Sequence, residues 1–141
     1  MNVDISIEAL ENNYWQDIDF PTKLVSDVHA LRKKKLTDLL PWEIMTAIGQ
    51  EVGLEYTLPL AIELLKLGIG IEAKYYPGDL LKTVLQTKDD YWLAHKKNWE
   101  ELMSLMEANI LLLPGLDIDK NTLKEIHIQY DKFRILYPLR K

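Results

Sequence analysis

Cysteine is absent from this chain, which removes disulfides, thiolate nucleophiles and cysteine zinc sites from consideration. Long apolar runs are absent too: no window holds 18 uninterrupted apolar residues, so no membrane span or membrane partner is expected. The amino terminus, Met1-Asn2-Val3-Asp4, is acidic and leads into no apolar signal core, so the chain is expected in the cytoplasm. Glycine is scarce, and the six present are isolated; Gly68-Ile69-Gly70 lacks the Gly-Lys-Ser continuation of a phosphate-cradling loop. Three histidines occur, none in a ligand or nucleophile pattern. No catalytic residue, metal or cofactor is therefore expected. Internal repeats and low-complexity segments are also missing.

What remains suits one globular unit. The 141 residues are 48% hydrophobic, enough to bury a sizeable core, and a single domain over 1–141 is expected. Seventeen Lys and Arg against 22 Asp and Glu give a net charge of −5, which disfavours polyphosphate and favours a basic partner. Helix signals dominate the chain. Ser6 can cap Ile7-Glu8-Ala9-Leu10-Glu11, and Asn12-Asn13 ends it. Pro21 suits the first turn of a helix to about Lys34 with a buried stripe of Leu24, Val25, Val28 and Leu31. Pro41 opens the next helix, with Gly53 as its stop. A third long helix is expected from about Leu58 to Leu67, with Pro59 near its start and a left-handed cap at Gly68. Tyr76-Pro77-Gly78-Asp79 turns the chain into the stripe Leu80, Leu81, Val84 and Leu85. The longest helix follows Lys88-Asp89-Asp90 and carries Trp92, Trp99, Leu102, Met103 and Met106. Leu123, Ile126, Tyr130, Phe133 and Tyr137 fit a last helix, although Ile126, Ile128 and Tyr130 also alternate like a strand. The expectation is a compact all-α bundle of about six to seven helices.

Few residues carry chemistry. His95, one turn from Trp92 and Trp99, fits a general base in an aromatic pocket or, more simply, a packed boundary ring. His29 and His127 flank apolar stripes in the same way. Asp89-Asp90 and Glu100-Glu101 could serve acid–base work, but helix capping and a solvated face are the simpler readings. The run Arg32-Lys33-Lys34-Lys35 hints at nucleic acid, yet it lacks interleaved aromatics and suits a solvated helix end. Tyr14, Trp15, Phe20, Tyr75 and Tyr76 stand in acidic connections, where aromatic anchors suit a protein interface.

The order of motifs resembles a helical family of immunity proteins from bacterial contact-dependent growth inhibition (CDI) systems. The residues that carry it are Leu10-Glu11 near Trp15, Leu24-Val25, Ala30-Leu31-Arg32, Leu36, Ile48-Gly49-Gln50, Gly53-Leu54-Glu55, Leu58-Pro59-Leu60-Ala61 and Tyr76-Pro77-Gly78-Asp79-Leu80-Leu81. The resemblance covers about Leu10 to Leu85 and continues weakly through Trp92. It implies a cytoplasmic antidote, not an enzyme, that binds one cognate toxin domain in a 1:1 complex. The toxin is expected to be a basic nuclease, with no direct contact to nucleic acid by the antidote. Partner-binding residues are expected outside the shared motifs, at Asp17, Asp19, Glu72, Tyr75, Asp89 and Asp90. The competing expectation is a small helical enzyme or regulatory adaptor with a carboxylate and histidine site around Asp89, Asp90 and His95.

Overall fold

Side chains that can accept a hydrogen bond stand where three of the helices begin. The computed structural model describes residues 2–16 and 20–137. Ser6 Oγ accepts from the Ala9 amide at 3.2 Å and opens α1 (Ile7–Glu11), which Asn12 closes in the left-handed conformation. Thr22, not Pro21, caps α2 (Lys23–Lys33) by accepting from the Val25 amide; the expected start at Pro21 is two residues early. After a 3-10 turn at Leu36–Asp38, Pro41 occupies the first position of α3 (Pro41–Gly49). There Glu43 reaches back to accept from the Leu40 amide at 2.9 Å.

Three boundaries differ from expectation. Gly53 does not stop α3; with φ +56° it leads into α4 (Leu54–Leu67). Any Cβ there would press on the Ile7 side chain at 3.1–3.3 Å, so a glycine is needed for both backbone and space. α4 therefore begins before Leu58, and Pro59 lies inside it, where its missing N–H would have met the carbonyl of Glu55, an exposed residue. Gly68 does end α4, but in extended backbone rather than a left-handed cap.

The expected longest helix is two, α6 (Asp89–Ala94) and α7 (Lys96–Asn109), parted at His95. The His95 ring lies 2.8 Å from the Tyr91 carbonyl through Nδ1 and stacks on the Tyr91 ring. A carbonyl only accepts, so Nδ1 carries the proton. That ring occupies the acceptor an unbroken helix would have given to the His95 amide, which bonds Trp92 instead. α5 (Asp79–Leu85) precedes this pair, and α8 (Lys120–Arg134), capped by Asp119, follows a 3-10 turn at Leu113–Gly115. The alternation of Ile126, Ile128 and Tyr130 thus lies within a helix.

The product is an all-α fold of eight helices, with no strand among the described residues. α3 packs on α2, α4 and α5; α4 also meets α5 and α7, and α8 lies on α5. One apolar cluster runs from Ile7 to Phe133. It is closed at the carboxy-terminal side by two polar ties: Trp99 Nε1 donates to the Phe133 carbonyl at 2.9 Å, and the Tyr137 hydroxyl donates to the Trp92 carbonyl at 2.6 Å. No helix among the described residues is long and apolar enough to cross a membrane.

Candidate functional site

Tyr76-Pro77-Gly78-Asp79 is a clasp. Gly78 has φ +87°, and a Cβ there would meet Ile118, Ile126 and Thr122 at 3.3–3.4 Å. Asp79, only 2% exposed, accepts from the Ala73 amide through Oδ1 at 2.7 Å. Through Oδ2 it accepts from the amides of Lys74 and Tyr75 at 3.0 and 2.8 Å, with Tyr76 more distant at 3.5 Å. This one carboxylate fixes the path of the connection and leaves Glu72 and Tyr75 exposed on it. Lys74 Nζ lies over the Trp42 ring at 5.0 Å and the Tyr75 ring at 5.1 Å, which sets the connection beside the first turn of α3. Nearby, Lys82 donates to the Tyr76 hydroxyl at 2.9 Å, and that bond holds its ammonium above the usual lysine range.

Asp89 and Asp90 are exposed in the first turn of α6, where carboxylates suit the helix dipole. Their neighbour Lys88 faces Glu51 at 3.8 Å, just past the last turn of α3. Glu72 and Tyr75 therefore stand near one end of α3 and the two aspartates near the other. Its nine residues put about 13 Å between them. Asp17 and Asp19 lie outside the described residues. The four described residues thus divide between the two ends of α3, a separation that one interface of about 800 Å² on each partner can span.

The three residues of the enzyme reading do not share the cavity that Asp89 borders. Asp89 borders a cavity of about 500 Å³ with Trp92, Gln129, Lys132 and Phe133, and neither Asp90 nor His95 lines it. No group of three or more His, Asp or Glu suited to a metal ion occurs among the described residues. His127 is exposed on α8, while His29 is buried against the rings of Trp15 and Phe20. Glu101 pairs with Lys66 at 2.6 Å, and that contact with Glu63 beside it raises the Lys66 pKa.

The basic run is a solvated helix end only in part, since Lys33 and Lys35 are exposed, Lys34 is half-buried and Arg32 is buried. Arg32 is 1% exposed and donates to Glu11 at 3.1 Å and to the Asn13 carbonyl at 2.8 Å, with its guanidinium 4.0 Å from the centre of the Trp15 ring. Lys34 bonds the buried Glu43 at 2.7 Å, and Lys33 lies 3.7 Å from Glu8. Three of the four cations are tied to carboxylates within the chain, which leaves little for a phosphate backbone.

Sequence reasoning also placed two surface residues in the core. Val28 and Leu31 are buried as expected, but Leu24 is 44% and Val25 39% exposed. Tyr14, Trp15 and Phe20 before the helix are also exposed, and Trp15 and Phe20 lie near the His29 ring on α2. Helical periodicity cannot separate a stripe facing the core from one facing a partner.

No curated protein and no solved structure matches the chain. The model of the family described as CDI immunity proteins matches residues 7–102, a span that reaches from α1 into α7 and contains the Gly53 contact, the Arg32 tie and the Asp79 clasp. With well over half its length matched, the chain belongs to the CDI immunity proteins.

Proposed function

We propose that this chain neutralises a basic nuclease toxin in the cytoplasm of the cell that makes both. Family membership over residues 7–102 carries the reading: a CDI immunity protein binds a cognate toxin and acts as an inhibitor rather than an enzyme. The net charge of −5 supports a basic toxin, because nuclease clefts are basic and opposite charge speeds encounter. A 1:1 complex burying about 800 Å² on each partner is the expected form. The whole of 1–141 acts as one domain, a reading supported by the apolar cluster that joins Ile7 to Phe133. Toxin contacts are proposed among Asp17, Asp19, Glu72, Tyr75, Asp89 and Asp90; the exposure of the last four supports their availability, and one interface of about 800 Å² can reach both ends of α3.

Co-expression with the toxin domain encoded immediately upstream tests the proposal. Growth rescue with co-purification is expected. Continued growth arrest, with the two chains separating on a column, would exclude it.

A further inference from the structure

We propose that the toxin inserts an extended segment of its polypeptide into the cavity of about 500 Å³ between α6 and the carboxy-terminal half of α8, a deduction that rests on the toxin-binding reading above and gives it a location. The mouth of this cavity is apolar and open: Leu93 is 54% and Ile135 72% exposed, and both line it. Its inner wall is aromatic. Trp92, only 1% exposed, stands edge-on to the Phe133 ring at 4.9 Å and to the Tyr91 ring at 5.2 Å between centroids. The indole is thus fixed before a partner arrives, and a pre-set wall loses little conformational freedom on binding.

Two polar atoms of the lining residues have nothing to bond. Among the described residues, Thr87 Oγ1 and Trp92 Nε1 are buried without a hydrogen-bond partner, and both residues line this cavity. An unmet buried donor costs free energy, which a partner recovers by bringing the acceptor. The indole N–H only donates, whereas the hydroxyl donates or accepts, so the occupant must carry at least one acceptor beside its apolar groups. Neither atom reaches solvent in the free chain. The lining therefore shifts on binding, as interface side chains commonly do, and the exposed Leu93 and Ile135 have room to move.

Charge at the rim argues against an anionic occupant. Asp89 and Lys132, both exposed, bring one charge of each sign, and Lys88 faces Glu51 at 3.8 Å. This balance offers a nucleic-acid chain no net attraction. A polypeptide meets the site's demands, since it has a carbonyl acceptor and an amide donor at nearly every residue and, when extended, turns alternate side chains to one side. A second apolar area surrounds Leu67, Leu111, Leu112 and Leu116, beside a groove of about 470 Å³. None of the residues lining that groove has an unpaired buried polar atom, so nothing there calls for an acceptor.

Affinity for the toxin domain encoded immediately upstream, measured with full-length chains, tests the site. The double variant Leu93→Lys/Ile135→Lys is expected to keep its helical spectrum, since both side chains are exposed, and to bind at least about 30-fold more weakly. By contrast, Leu67→Lys/Leu111→Lys should bind like the unaltered chain. Thr87→Val keeps the shape of the side chain and removes the unpaired hydroxyl. Its unfolding temperature should hold or rise while toxin binding weakens about fivefold, a divergence that a merely structural role would not produce. On adding toxin, the Trp92 indole proton resonance, identified by its loss in Trp92→Phe, should move downfield. Unchanged binding by the Leu93/Ile135 variant overturns this location and leaves the toxin-binding function standing; if that variant also turns a free dimer into a monomer, a second copy is the occupant. Lost binding there, with an unmoved indole signal and an unaffected Thr87→Val, overturns the inserted acceptor. An unaltered chain that does not bind the toxin domain overturns both proposals.

Discussion

Asp79 accepts backbone hydrogen bonds with both carboxylate oxygens while almost wholly buried. An amide in its place keeps one acceptor and turns an NH₂ toward N–H donors that cannot accept from it. Asp79→Asn is therefore expected to lower stability by about 2 kcal/mol, with faster hydrogen exchange at the Ala73, Lys74 and Tyr75 amides; thermal unfolding and exchange measurements check the two parts. Tyr91 offers a second test. Its buried hydroxyl accepts from Asn98 Nδ2 at 2.6 Å, and burial pushes its pKa from 10.0 up to about 12, the Asn98 bond opposing this in part. Below pH 10 the phenol is neutral in both folded and unfolded chains, and its contribution is complete. As the pH rises from 10 through 12 the unfolded chain ionises first, so that contribution is lost. Tyr91→Phe should flatten the alkaline fall in stability over this window, as read from denaturant unfolding at successive pH values. Neither role could be foreseen from composition, because Asp79 looks like an ordinary first-turn carboxylate and Tyr91 like one tyrosine among seven.

Helices were legible in the chain where a polar side chain or proline marks an end: Ser6, Pro41 and Asp119 all act as their types suggest. They were illegible where tertiary packing overrides the local rule. Gly53 looks like a stop but is a point of close approach to Ile7, and Pro59 is carried inside α4 because the surrounding helix is held by its buried face. His95 breaks a helix that no proline or glycine marks, by putting its ring on a carbonyl four residues back. The stripe on α2 failed for another reason, since periodicity finds an apolar face and not what covers it. α8 lies beyond the family-matched span yet buries Ile126 completely against the shared core. Ile126→Ala should cost about 2–4 kcal/mol. If the chain is one cooperative unit, circular dichroism and tryptophan fluorescence will lose signal together at the lower temperature.

The acidic surplus of the chain makes a kinetic claim. Reversing Asp17 and Asp19 to lysine is expected to slow association with the toxin domain about tenfold or more at low salt and to flatten the dependence of that rate on ionic strength. Stopped-flow mixing measures both, and an unchanged rate would place the approach elsewhere on the molecule. The acidity behind this prediction was plain in the composition, and Tyr14, Trp15 and Phe20 stood out as aromatics in an acidic connection. The exposure of Leu24 and Val25 was not plain, because an apolar stripe reads the same whether it faces a core or solvent. The connection held by Asp79 has one further property. Its clasp grips the amides of Ala73, Lys74 and Tyr75 and none of their side chains. At the exposed Lys74 and Tyr75 any residue except proline can keep these hydrogen bonds, whereas Ala73 is half-buried against the core. Such a segment is a display mount indifferent to the text it carries: the exposed side chains of Lys74 and Tyr75 can change while the backbone beneath them keeps its path.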